Sequence, residues 1–202
     1  MNLNTKTLPA AIGAALAGGL FFGLINEGGE TFALIMSPKA VGEREGTWND
    51  TDKAVAGAVS YTDGLANTIA MAEAGSALAQ WARQLDIEGH TDWYIPSRDE
   101  LELAYRNLKP STEENTQYGR SGENPSALPP THAYTSSMPA QTMAETFVAG
   151  GAEAMESEWY WSSTQHAAHP SFAWYQYFSY GDQFNFRKSY EGRARAVRRF
   201  KI

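Results

Sequence analysis

Few residues of this 202-residue chain have the type and spacing that chemistry needs. His166 and His169 stand three apart, a spacing at which two imidazoles can share a zinc ion. Pro170 follows at once and no acid lies close in sequence, so the pair reads as surface loop histidines; His90 and His132 stand alone. Ser162-Ser163-Thr164 offers three hydroxyls. No His or acid sits at helper spacing from them, and hydroxyls beside a Trp-rich strand more often bond backbone. Trp48-Asn49-Asp50 and Glu123-Asn124-Pro125 carry oxygen donors. A hard cation needs several such donors to converge, and this spacing does not bring them together. The chain has no cysteine, which removes disulfides, thiol nucleophiles and Cys-ligated metals. The run GGLFFG at 18–23 lacks the Lys-Ser/Thr of a phosphate loop. The sequence therefore predicts no catalytic residue, no metal and no cofactor.

Recognition is what remains. Between Trp159 and Tyr190, 12 of 32 residues are aromatic, interspersed with Ser, Gln, His, Asn and Gly. Tyr and Trp give large contact area at low entropy cost, and small polar residues give adaptable hydrogen bonds. Strands alternate, so half of these rings belong to a core. The set expected to face outward is Tyr175, Tyr177, Tyr180, Gln183 and Asn185, with Gln165, His166 and His169 on the adjoining loop. The formal charge of -7 disfavours nucleic acid, which calls for a basic face. From Arg187 to Lys201 seven basic residues meet one acid. The favoured reading is a C-terminal strand whose arginines pair with acids elsewhere.

The elements that must position these residues read as α+β. Apolar positions across 63–85 predict a helix. Ser97-Arg98-Asp99-Glu100 is a capping box that opens a second helix, with Leu101, Tyr105 and Leu108 on one face and Lys109-Pro110 at its end. A further helix is expected over 139–149. Three strands then form a meander over 172–178, 184–188 and 193–200. Two helices packed on short antiparallel strands, with long loops, is the overall expectation.

Residues 8–25 carry no charge, enough length for a membrane-span candidate. Glycines and a proline interrupt them. The runs 21–25 and 31–36, parted by Gly28-Gly29, read instead as a β-hairpin, so membrane insertion is not the favoured reading. The division expected is an attachment arm with hairpin over 1–45 and a recognition domain over 46–202, interrupted by an insertion at 110–158.

Several motifs carry a resemblance. Asp92-Trp93-Tyr94-Ile95-Pro96-Ser97-Arg98-Asp99-Glu100-Leu101, Trp161-Ser162-Ser163-Thr164, Ala173-Trp174-Tyr175 with Gly181-Asp182-Gln183, and Val197-Arg198-Arg199 occur in order. Together they resemble the family typified by the C-terminal domain of the Legionella collagen-like protein. The resemblance implies a C-type-lectin-like fold and a non-enzymatic binding module. A related enzyme branch of that fold makes formylglycine with a cysteine, which this chain lacks. The segments Ala33-Leu34-Ile35 and Pro38-Lys39-Ala40 resemble prophage-encoded members. They imply a phage virion or tail-fibre component that binds a bacterial cell-surface receptor and attaches to other virion subunits through 1–45, as a homo-oligomer such as a trimer. The alternatives are a structural virion protein that binds only other particle proteins, and a bacterial surface adhesin.

Overall fold

The computed structural model describes residues 8–119 and 121–202. The chain opens with β1 (Ala15–Leu16), β2 (Gly19–Glu27) and β3 (Glu30–Met36), then a single helical turn, α1 (Lys39–Gly42), and β4 (Glu43–Thr47). Helices α2 (Gly64–Glu73), α3 (Ala77–Gln84) and α4 (Arg98–Leu108) follow. After a long irregular stretch come β5 (Trp159–Gln165), β6 (Phe172–Tyr177), β7 (Gln183–Arg187), β8 (Glu191–Arg195) and β9 (Val197–Lys201). The fold is thus mixed α+β, as the sequence predicts. One sheet has the order β1-β2-β3-β9 and the other β4-β8-β5-β6-β7.

The predicted hairpin is β2–β3, turning through Gly28 and Gly29, both at positive φ. It is no free arm. Strand β3 pairs with β9 along its length, and Phe22, Ile25, Leu34 and Met36 join the cluster that holds Leu101, Tyr105, Tyr160 and Phe178. Among the described residues, no helix is long and apolar enough to cross a membrane. Ala10, Ala11 and Ala15 of the N-terminal segment stay exposed.

Three expectations are corrected. The helix expected over 63–85 is two, because the chain breaks at Ala74-Gly75-Ser76. Gly75 adopts φ +89°, and Ser76 caps α3 by accepting from the amide of Ala79. The helix expected over 139–149 is a single 3-10 turn at Glu145–Phe147. There the backbone bonds outward, to the end of α4. The Thr142 amide donates to the Lys109 carbonyl and the Ala149 amide to that of Pro110, each at 2.9 Å. The expected meander stops after β6–β7. Strand β8 leaves to pair with β4 and, in parallel, with β5, while β9 crosses to β3.

Helix α4 is the hub, with both capping-box bonds made. Its acids are buried and bonded. Glu100 accepts from the Tyr94 hydroxyl at 2.7 Å, and Glu102 from Asn124 at 2.8 Å and Tyr134 at 3.0 Å. Burial raises the pKa of both carboxyls. The basic C-terminal run pairs with acids as expected: Arg198 with Asp92 at 2.7 Å, Arg199 with Glu27 at 2.7 Å and Asp63 at 3.0 Å, and Arg195 with Glu153.

Candidate binding groove

Strand register decides which rings reach solvent, since directly opposed residues in a ladder share a face. Across β5–β6, Trp159 lies opposite Tyr177 and Trp161 opposite Tyr175. Across β6–β7, Tyr175 lies opposite Phe184 and Ala173 opposite Phe186. One face of the sheet is therefore a continuous strip of rings. Trp159 meets Trp161, Tyr175 and Phe186 edge to face at 4.9, 5.4 and 5.2 Å between centroids. Tyr190 extends the strip through Phe186 at 4.7 Å. Trp161 is wholly buried, and Phe186 and Tyr190 are exposed.

At one end the strip opens into a groove of about 290 Å³, lined by Trp159, Tyr175, Tyr177, Tyr180, Asp182 and Phe186. Its end wall is the β6–β7 turn. Tyr180 packs on Tyr177 at 4.6 Å, and the Tyr177 amide donates to the Asp182 carbonyl at 2.8 Å. The turn needs Gly181, whose φ is +86° and where a Cβ would lie 2.6 Å from the Tyr105 ring. From the 110–158 insertion, the Thr116 hydroxyl donates to the Asp182 carboxylate and the Thr116 amide to the Tyr180 carbonyl. From the opposite face, Gln176 donates to the Gly181 carbonyl at 2.8 Å.

Carboxylates stand at the edge of the groove and in the space beside it. Burial, and then the Asp182 carboxylate, raises the pKa of the Tyr175 hydroxyl. Burial, Tyr180 and Glu158 do the same to Tyr177. A second hollow of about 190 Å³ adjoins at Trp159, with Glu45, Glu158, Glu191 and Arg193 around it.

Of the eight residues expected to face a ligand, Tyr175, Tyr177 and Tyr180 come together here. Gln165 and Gln183 are buried and structural. The Gln165 carbonyl oxygen accepts from the Val55 amide at 2.7 Å and Lys188 at 2.6 Å, and Gln183 donates to the Arg98 carbonyl at 2.9 Å. Asn185 lies opposite Trp174, on the other face of the sheet. There His166 stacks on Trp174 at 5.4 Å with 17° between planes, and His169 packs on His166 at 4.8 Å. The His166 Nδ1 accepts from the amides of Ala168 and His169, and burial lowers its pKa. This second cluster also holds Tyr61, over which the Arg98 guanidinium lies at 3.1 Å.

Sequence reasoning missed Trp159, Asp182 and Phe186 as groove residues. The signal was the phase of β7: with Gln183 opposite the buried Gln176, Phe184 and Phe186 take the face of Tyr175. The hydroxyls of Ser162, Ser163 and Thr164 bond the carbonyls of Trp174, Pro96 and Ser60 at 3.0, 3.2 and 2.8 Å. They join β5 to β6 and to the loops before α2 and α4. Trp48 packs in the core, and Asn124 holds α4. Among the described residues no group of three His, Asp or Glu is placed to hold a metal ion.

An α+β domain with a ring-lined, carboxylate-edged groove on one sheet face is the class that fold and site define. The family model of the Lcl C-terminal domain, named for the Legionella collagen-like protein, matches residues 43–198, and the chain belongs to that family. No curated protein matches the chain.

Proposed function

We propose that this chain is a non-enzymatic binding module that grips a bacterial surface receptor in the groove of β5, β6 and the β6–β7 turn. Family membership points to a binding, adhesin-like module. The observation that carries the reading is the set of accessible rings, Trp159, Tyr177 and Tyr180, on a wall braced from three directions. A preformed aromatic surface loses little freedom on binding. The Ser-Ser-Thr hydroxyls, the strongest nucleophile candidates, are committed to backbone carbonyls, which supports a role without bond-making.

Display on a bacterial cell surface agrees with the family. Display on a phage particle or tail fibre is the second reading, favoured by the prophage-like segment at 33–40. In either setting, the exposed alanines at 10, 11 and 15 are the proposed contacts to other subunits, in a homo-oligomer such as a trimer. The test is adsorption of purified protein to a panel of bacterial strains, comparing Tyr175→Ala and Tyr177→Ala with wild type. Loss of adsorption in both is expected. Wild-type adsorption by both overturns the groove.

A further inference from the structure

The carboxylates at the rim of the groove are not neutralised. Among the described residues the Asp182 carboxylate accepts only the Thr116 hydroxyl, and Glu158 and Glu191, in the hollow adjoining at Trp159, have no ion-pair partner. The cation lining the hollow beside Trp159 among the described residues is Arg193, and two acids already share it, Glu43 at 3.4 Å and Glu45 at 2.7 Å. Ring faces and unpaired carboxylates both attract positive charge, and a cation between them gains from each. The same arrangement repels sulfate, phosphate and uronate groups.

We propose, resting on the groove reading above, that the ligand is a surface glycan bearing positively charged amines. The ammonium sits between the Asp182 carboxylate and the rings of Trp159, Tyr177 and Tyr180, while the sugar's apolar face lies along the strip toward Phe186. About 290 Å³ suits one or two sugar units. The amine comes either from a de-N-acetylated amino sugar or from a choline substituent on the glycan.

Titration calorimetry of the full chain tests this, using a glucosamine hexamer against its N-acetylated counterpart, with heparin as the anionic control. Binding of the free-amine hexamer at least tenfold tighter than the acetylated one is expected, as are weakening with added salt and no binding of heparin. Asp182→Asn, nearly isosteric and still able to accept from Thr116, is expected to weaken the free-amine hexamer about tenfold at unchanged Tm. Competition by free choline assigns the amine to a choline substituent; failure to compete assigns it to the amino sugar. Equal affinity for the two hexamers, no heat with either, tighter binding of heparin, or stronger competition by polylysine overturns the cationic glycan. Those results leave the groove standing if Trp159→Ala still abolishes adsorption to cells. If adsorption survives Trp159→Ala, the groove itself is wrong.

Discussion

Trp159 and Tyr177 stand directly opposite one another across the β5–β6 ladder. Both side chains therefore rise on the same face, and with Tyr180, set against Tyr177 at the turn, they frame one end of the groove. The first prediction concerns this pair. Tyr177 is half-buried and packs on Tyr180 at 4.6 Å. Tyr177→Ala should lower affinity for cells about 30-fold or more, the size of a binding hot spot, while thermal unfolding shows Tm moving by less than about 4 °C. Unchanged affinity would remove Tyr177 from the contact surface.

Gly181 is the second. A side chain there meets both a left-handed backbone and the Tyr105 ring. Gly181→Ala should cost about 2–4 kcal/mol, read as a drop in denaturant midpoint, and should loosen the wall that carries Tyr180 and Asp182. A variant as stable as wild type would show that the turn has room the structure denies it.

Lys188 supplies a pH dependence. It is fully buried, its ammonium donates to Gln165 and the Lys53 carbonyl, and it lies over Trp48 at 4.5 Å. Burial lowers its pKa from 10.5 to about 8. Between these values the unfolded chain holds more protons than the folded one, so stability rises with pH. The buried hydroxyls of Tyr94, Tyr105, Tyr134 and Tyr160 have pKa values raised above the usual 10.0. They reverse the slope above about pH 10. Urea unfolding from pH 7.5 to 9.5 should show wild type gaining stability relative to Lys188→Met. Parallel curves would mean that Lys188 titrates normally.

Ser97 closes the capping box of the most buried helix. Ser97→Ala should cost about 1 kcal/mol and Ser97→Gly a few tenths, measured by urea midpoint. An equal effect of the two would place the loss in packing rather than in the cap.

Local chemistry made much of this fold readable in advance. The Ser97–Glu100 reciprocal bonds and the Gly28-Gly29 turn are written in adjacent residues, and both α4 and β2–β3 stand where the sequence puts them. The helix break at Gly75 was equally local but was overridden by an apolar stripe that continues across it. Extended chain over 193–200 was legible, but the pairing of β8 and β9 was not, because their partners, β4 and β3, lie some 150 residues away. No neighbouring residue records such a pairing. The groove was half legible for a similar reason. Alternation separates Tyr175 and Tyr177 from Trp174 and Gln176, but the phase of β7 depends on where the turn at Gly181 begins. A one-residue slip exchanges the two faces, which is how Gln183 and Asn185 stood in for Phe184 and Phe186. Gln165 looked like loop and proved to be the buried acceptor for Lys188.

Hydroxyl-radical footprinting of the protein, free and bound to bacterial envelopes, reads the accessibility of individual rings and so shows which sheet face meets the receptor. Binding should protect Trp159, Tyr177, Tyr180 and Phe186 while His166 and His169, on the opposite face, are oxidised as before. Protection confined to His166, His169 and Trp174, with the groove rings still reactive, would put the receptor on the other face of the sheet.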